Sequence, residues 1–470
     1  MDYAEARKFI SGLTGGSGLR QGQVMGLDAV KELLHRLQDP QEKTKVIHIG
    51  GTNGKGSVST FVASVLEQAG YRVGRYVSPT LFSYRERMQI NGGNITREDY
   101  AEVITEIAKA MKGEYASTSK MPVFPSAFEA ETAAAFLYFL KKNCDFAVVE
   151  EGMGGRTDAT NVLSHPALTV LTSISKDHMD FLGNSLGEIA WNKTGIFKEK
   201  VPVVSAWQEE EAAAVIRAEA QKKHCPCTFV DKTTILEGRS YDAKNAAAGA
   251  NADGVDRECF AGNDALEKQS FFYRDYGEIT IQLLGRYQQE NAALALECIG
   301  ALRRQGVQIS DLALKEGMRA ASWKGRFSLI HKNPYVVLDG AHNPDAAVRL
   351  REAILESFPE QKKYYIMGVF SDKDYDTIID STADLAEHIV TVETPLNPRA
   401  LPAEELAKAV SRVNPSVEAA KSVSEAVERC FALAQAEDVI VIFGSLSYLA
   451  EAEKAVQAQD RIYQSYSCKE

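Results

Sequence analysis

Residues 45–70, KVIHIGGTNGKGSVSTFVASVLEQAG, set four glycines, a lysine and a serine between an apolar run and a helix-like segment. In a phosphate-binding loop, backbone N–H groups surround the phosphates, a lysine neutralises β- and γ-phosphate charge, and a hydroxyl holds magnesium. Gly54 and Lys55 supply the Gly-Lys step after a strand and at a helix start, the context that chemistry needs. The spelling departs from the strict consensus twice. Ile49 stands where G-x-x-x-x-G-K would have its first glycine, and Gly56 separates Lys55 from Ser57. A tight turn with a solvated lysine is the alternative. Glycine density, lysine, serine and context together favour phosphate binding, with Thr52, Asn53, Gly54, Lys55, Gly56 and Ser57 as the contacts.

The elements around the loop must hold it rigidly. Apolar strands KVIHI, RVGRYVS, DFAVVEE, ALTVLTSI and VPVVSA alternate with helical stretches such as FEAETAAAFLYFLKKN. Short, nearly continuous apolar strands between helices predict a parallel sheet covered on both faces. An amphipathic helix in GLDAVKELLHRLQDP, stopped by Pro40, precedes them. From about Ile235 to Tyr276 the pattern fades, and most of that stretch reads as a surface excursion. A second alternating series follows: YVVLDG, a helix from Pro344, KYYIMGVF, HIVTVET, a helix from Pro402, and DVIVIFGS before a last helix. The expected organisation is α/β throughout. A P-loop-type ATP-binding domain with a parallel-rich sheet spans residues 1–322, and a smaller Rossmann-like α/β domain spans 323–470, the break falling near AASWKGRFSLI.

Bulk properties narrow the partners. A chain of 470 residues suggests about two to three domains. A formal charge of −11 argues against nucleic acid or an anionic membrane as the main partner. Seven scattered cysteines, with one tight pair at Cys225 and Cys227, make neither a disulfide framework nor a zinc site, so reduced thiols in a cytoplasm are expected. No apolar run is long enough to span a bilayer, and the N-terminus lacks a signal-like apolar core.

The variant loop GTNGKGS resembles that of the folylpolyglutamate and dihydrofolate synthases, relatives of the Mur ligases. SPTLFSYRERMQING, SAFEAETAAAFLYF, VVEEGMGGRTDATNV, DHMDFLGNSLGEIAWNKTGIFK, QQENAALAL, WKGRF, VVLDGAHNPD, GVFSDKDY, PRALP and FGSLSYL follow in that family's order, over nearly the whole chain. The resemblance implies an ATP-dependent ligase: ATP phosphorylates a folate carboxylate, and the amine of L-glutamate attacks the acyl phosphate. Such an intermediate needs shielding from water, which favours a cleft between closing domains. It also implies two magnesium sites, one at Ser57 and Glu150 and another at Ser78 and His178. Hydroxyl and carboxylate oxygens suit that ion, whereas an imidazole is an unusual ligand for it. A monovalent cation is a further implied partner.

By the same resemblance, Lys55, Lys193 and His342 are the catalytic candidates, with Lys193 carbamylated. Asn291, Arg326 and Asp339 are ATP contacts, with Arg326 clamping phosphate oxygens and Asp339 on the ribose side. Phe128, Arg156 and Asp158 face the pterin substrate, and residues 82–92 form a loop beside it. His342 and Ser445 serve the incoming glutamate, and Lys373 and Asp374 belong to the same rim. Taken singly, each has a plainer reading: Phe128 as core, Asp158 as a turn former, His178 as a polar loop residue, Lys193 as a surface lysine, Asp339 with His342 as a helix-capping turn. The expected partners are ATP, L-glutamate and a reduced folate, on a monomer. Dihydropteroate as a second acceptor stays open, as do a Mur-type ligase of cell-wall precursors and a P-loop NTPase module as alternative readings.

Overall fold

The computed structural model describes residues 1–13, 26–112, 124–237, 266, 268–395 and 397–467. Its chain divides into two compact units: Met1–Lys232 with Glu290–Ala320, and Thr233–Gln289 with Ala321–Glu470. The break after Ala320 lies just before the expected 322/323 boundary, but Thr233–Gln289 groups with the second unit instead of the first.

The first unit is built on an eight-stranded sheet. Its strands are β1 (Lys45–Gly50), β2 (Val73–Tyr76), β3 (Met88–Ile90), β4 (Gly93–Asn94), β5 (Phe146–Glu150), β6 (Leu168–Leu171), β7 (Val203–Ser205) and β8 (Cys227–Phe229). They lie in the order β4-β3-β2-β5-β1-β6-β7-β8. The five expected strands pair in parallel, with β1 at the centre between β5 and β6. Each is buried almost throughout, as two-sided helix cover requires. On one face, the helices Tyr3–Gly12, Asp28–Arg36, Arg97–Ala110 and Ala127–Lys141 close an apolar layer containing Val30, Leu33, Tyr100, Ile104, Phe136 and Phe139.

Residues 82–92 are not an open loop. Glu86 accepts the N–H groups of Leu81, Phe82 and Ser83, closing a capping box over a 3-10 turn at Tyr84–Arg87. The chain then pairs as β3, antiparallel to β2. That carboxylate satisfies three N–H groups that an unfixed loop would leave to water.

The second unit carries a three-stranded antiparallel sheet, β9 (Ile235–Glu237), β10 (Gln269–Tyr273) and β11 (Glu278–Ile281), in the order β11-β10-β9. The ends of the expected excursion are therefore strands, because Ile235 to Glu237 finds a partner in Phe271 to Tyr273 across a long sequence gap. Residues 238–265 of that excursion lie outside the described residues. The main sheet of this unit comprises β12 (Ser328–Lys332), β13 (Tyr335–Leu338), β14 (Lys363–Met367), β15 (His388–Thr391), β16 (Val417–Ala419) and β17 (Val439–Phe443), ordered β12-β13-β17-β14-β15-β16. All its pairings are parallel except β12 with β13. Its core joins Val337, Tyr365, Val441 and Phe443 to Leu350, Ile354 and Ile379 of the covering helices. No helix among the described residues is long and apolar enough to cross a membrane. The described cysteines, Cys144, Cys225, Cys227, Cys298 and Cys430, are free thiols.

Candidate functional site

The site is built outward from the end of β1. After Gly50 the chain turns through residues 51–53 and enters the helix Lys55–Gln68, whose N-cap is Gly54 in the left-handed region at φ 90°. The first-turn N–H groups of any helix lack intrahelical acceptors, and here they open at the sheet's C-terminal edge, a ready anion site. This helix is buried on nearly all sides, from Gly56 to Leu66. Ser64 Oγ also donates to Gly317 O at 2.7 Å, tying it to the helix Asp311–Ala320. Ser57, the hydroxyl candidate, is 2% exposed in the first turn.

The loop is fastened to the segment following β6. Thr52 N donates to Ser173 O at 2.8 Å, Thr52 Oγ1 to Ser175 O at 3.1 Å, and Asn53 Nδ2 to Ser175 Oγ at 3.2 Å. Gln208 braces that segment in turn, accepting from Ile174 N and donating to Thr172 O, each at 2.9 Å. Gly51 has φ 135°, and a β-carbon there would lie 2.0 Å from Thr172 Oγ1, so only glycine fits. None of Thr172, Ser173, Ser175 or Gln208 stood out in the sequence.

Charge concentrates at Lys55. Its Nζ donates to Gly51 O at 2.9 Å and Thr52 O at 3.1 Å, curling back over its own loop. Burial, then repulsion from Lys193, holds its pKa below the ordinary lysine value, against the attraction of Glu150, Glu151 and Asp177. Glu150 ends β5 in register with Ile49 of β1, one residue before the glycines, which is the strand-end position expected of it. Its neighbour Glu151, which carries no signal of its own in the sequence, is fully buried. Glu151 accepts from Lys193 Nζ at 2.6 Å and from Gly51 N at 3.0 Å. Lys193 is 3% exposed and donates also to Gly51 O at 2.7 Å, so it is no surface lysine. Burial acts to raise the Glu151 pKa, but Lys193 and Lys55 prevail and hold it below the usual glutamate range.

His178 is exposed and adopts φ 51° as N-cap of the one-turn helix Met179–Leu182. Its Nε2 lies 4.0 Å from Asp177 Oδ2. Ser78 follows β2 and is partly buried. Asn291 reaches the loop from the helix Arg286–Arg304: its Oδ1 lies 2.4 Å from where a β-carbon on Gly54 would stand. Among the described residues no group of three or more His, Cys, Asp or Glu side chains could hold a metal. A magnesium ion here would therefore take a hydroxyl, a carboxylate and phosphate oxygens, the hard-oxygen set that this ion prefers, and Ser57 with Glu150 fits that requirement.

Two of the three pterin-side candidates come together around Gly152. A β-carbon there would lie 2.5 Å from the Phe128 ring and 3.1 Å from Asp158 Oδ2. Phe128 also faces Tyr76, with ring centroids 6.1 Å apart. Asp158 is buried and organises its own turn, accepting from Met153 N (2.7 Å), Thr160 N (2.9 Å) and Thr160 Oγ1 (2.5 Å). Burial, then the charge of Glu151, pushes its pKa up to about 6. Thr160 Oγ1 gives its proton to Asp158, so at 2.8 Å it accepts from His48 Nε2 and fixes that tautomer. Burial lowers the His48 pKa to about 4. The third candidate is engaged elsewhere: the Arg156 guanidinium stacks 3.9 Å from the Trp191 ring centroid and pairs with Glu219 at 3.6 Å.

In the second unit, Asp339 leaves the end of β13 buried, accepting from Phe327 N and Ala341 N, each at 2.7 Å. Burial raises its pKa against the opposing charge of Arg326. His342 donates Nδ1–H to Gly340 O at 2.7 Å. Asn343 caps the helix Pro344–Ser357 through Ala346 N at 2.9 Å. The neighbouring strand β17 delivers Ser445, and Gly444 N donating to Ala341 O at 2.9 Å joins the two turns. Ser445 Oγ accepts from Ser447 N at 3.3 Å, and a 3-10 turn at Leu446–Tyr448 buries Tyr448. Lys373 is partly buried, and Asp374 caps the helix Tyr375–Thr382 through Thr377.

Residues 100–299 match the Mur ligase middle domain, and residues 325–446 match the Mur ligase glutamate ligase domain. The chain is 32% identical over 468 residues to the dihydrofolate synthase/folylpolyglutamate synthase of Bacillus subtilis, spanning 97% of this chain and 99% of that protein. Mycobacterium tuberculosis folylpolyglutamate synthase complexed with ADP superposes with a TM-score of 0.80 at 27% identity, over 96% of this chain and 97% of that one. Escherichia coli FolC in complex with DHPP and ADP superposes with a TM-score of 0.78 at 26% identity, over 98% and 99%.

Proposed function

The chain belongs to the dihydrofolate synthase/folylpolyglutamate synthase family of Mur-type ligases, and from that membership we propose how its residues carry out ATP-dependent ligation of L-glutamate to a folate. The γ-phosphoryl group of ATP passes to the folate carboxylate, and the glutamate amine displaces phosphate from the acyl phosphate to form an amide. Phosphoryl transfer asks the protein chiefly for positioning and charge. The first-turn amides of the helix Lys55–Gln68 receive phosphate oxygens, and the Lys55 ammonium exchanges Gly51 O and Thr52 O for the β/γ-phosphates. Thr52, Asn53, Gly54 and Gly56 shape that cradle. Ser57 and Glu150 would hold one magnesium ion, with Ser78 and His178 proposed for a second. The ion, when bound, neutralises charge on the transferring phosphoryl oxygens.

Asn291 is proposed for adenine, and Arg326 and Asp339 for phosphate and ribose. Phe128 offers a stacking face and Asp158 an acceptor for the pterin, while Arg156, held on Trp191, is the weakest candidate of that group. His342, whose Nδ1 donates to Gly340 O, is proposed to take the proton that the glutamate amine loses as it attacks, and Ser445 to receive a glutamate carboxylate. A carbamate on Lys193 is likewise proposed, with no step assigned to it; as the unmodified amine, Lys193 Nζ donates to Gly51 O and Glu151 Oε1.

The observation that carries this reading is Lys55 at a buried helix N-terminus, electrostatically coupled to Glu150 on the adjoining strand end. It is tested by phosphate release from ATP and magnesium, with and without L-glutamate plus tetrahydrofolate. Release that needs both supports a ligase, and release indifferent to both overturns it. Dihydropteroate run in parallel decides whether the enzyme serves two acceptors.

A further inference from the structure

Asp158 is buried, so its carboxylate finds its hydrogen bonds inside the protein. A carboxylate offers about four acceptor sites, two on each oxygen. Oδ1 is filled twice by one residue: Thr160 N donates to it at 2.9 Å and Thr160 Oγ1 at 2.5 Å. Oδ2 takes Met153 N at 2.7 Å and has a second site to offer. It is this oxygen that lies 3.1 Å from the β-carbon position on Gly152, beside the Phe128 ring. Thr160 is held in turn. Its hydroxyl has a single proton, which goes to Asp158, and His48 Nε2–H supplies the bond that it accepts, at 2.8 Å. His48 stands on β1 with no exposed surface, and burial keeps its ring neutral near pH 7. The donations therefore run one way, from His48 to Thr160 to Asp158.

We propose that Thr160 is a positioning residue for folate recognition: aligned by His48, it occupies Asp158 Oδ1 and leaves Oδ2 as the acceptor for the N–H edge of the substrate's pterin. A 2-amino-4-oxo pterin presents neighbouring N–H donors on that edge, and an ionised carboxylate is a strong acceptor for them. The inference rests on the placing of Asp158 at the pterin and deepens it, by assigning which oxygen binds and what aims it. The titratable groups acting on Asp158 are Glu151, directly, and His48, through Thr160. Burial and the charge of Glu151 push the Asp158 pKa up to about 6, and the bonds from Thr160 and Met153 oppose them.

Thr160→Val keeps the side-chain shape and removes the hydroxyl. Steady-state kinetics of the full-length enzyme are expected to show the KM for tetrahydrofolate raised about tenfold, the KM for ATP within about twofold of the parent, and recovery in Thr160→Ser. The acid limb of kcat/KM for the folate is expected to move up by about one pH unit in Thr160→Val, because Asp158 has lost a bond to its charged form. Should that variant not fold, His48→Leu/Thr160→Val, which strands no ring N–H, replaces it in the same measurements. Asp158→Asn is run alongside. If it raises the folate KM while Thr160→Val moves neither that KM nor the acid limb, the positioning role is overturned and the pterin reading stands. A folate KM unmoved by Asp158→Asn removes Asp158 from the pterin and overturns both. Equal rises for ATP and folate in Thr160→Val overturn the positioning role as well.

Discussion

The amide oxygen of Asn291 occupies the space that a β-carbon on Gly54 would need, 2.4 Å from its ideal position. Gly54 also sits at φ 90°, where an L-side chain costs roughly 1–2 kcal/mol. The phosphate loop and the helix carrying Asn291 therefore meet through a glycine. Gly54→Ala is expected to displace Asn291 and to weaken ATP binding about tenfold, with folate binding unaltered. Calorimetric titration with each ligand checks this, and equal loss for both would contradict it.

Lys55→Ala removes the only charge that the loop itself can offer a γ-phosphate. The expected loss in kcat is about 10²–10³-fold, the scale of removing one preorganised stabilising group. Glu150→Ala is expected to abolish turnover at ordinary magnesium, because the ion loses its carboxylate ligand. Both variants keep the far-ultraviolet spectrum of the parent. Near-normal rates in either would remove that residue from the mechanism.

The His48, Thr160 and Asp158 chain makes a prediction about acid. Burial lowers the His48 pKa to about 4, below its unfolded value, so its contribution is present above pH 6.5 and lost as pH falls through 4. Asp158 is shifted the other way, up to about 6, so its contribution is present below the unfolded value and lost as pH rises through 6. Each shift amounts to roughly 3 kcal/mol, and the two oppose one another. His48→Asn deletes only the first. Measured by denaturant unfolding, this variant is expected to gain about 2–3 kcal/mol on the parent between pH 7 and pH 4. Parallel pH profiles would contradict the assignment.

Phe128 and Asp158 flank Gly152, and this pairing distinguishes the two halves of the first unit's chemistry. Phe128→Ala is expected to raise the KM for folate about tenfold, from lost stacking and buried area, while the KM for ATP stays within about twofold. Steady-state kinetics with each substrate varied in turn checks it. A matching rise for ATP would assign Phe128 to the core alone.

Much of this arrangement was readable from the chain. KVIHI, DFAVVEE and ALTVLTSI announce buried parallel strands by their unbroken apolar runs, and strand ends followed by glycines announce where ligands go. Glu150 was legible for that reason. Glu151 beside it was not, since its meaning depends on Lys193, which lies in a helix far along the chain. The braces at Thr172, Ser173, Ser175 and Gln208 escaped for the same reason: short polar side chains carry no periodic signal, and their partners are set by sheet order. Strands β9 and β10 escaped because antiparallel pairing across a long insertion has no local signature. The turn within residues 82–92 is not legible locally, because the triple role of Glu86 as an acceptor appears only once the turn is closed.

In the proposed mechanism ATP activates the folate carboxylate as an acyl phosphate before glutamate attacks. It is tested most directly with tetrahydrofolate monoglutamate bearing 18O in its γ-carboxylate, turned over with ATP, magnesium and L-glutamate. The account predicts that each amide bond formed delivers one 18O into inorganic phosphate, detected by mass spectrometry. Phosphate released without the label would contradict it.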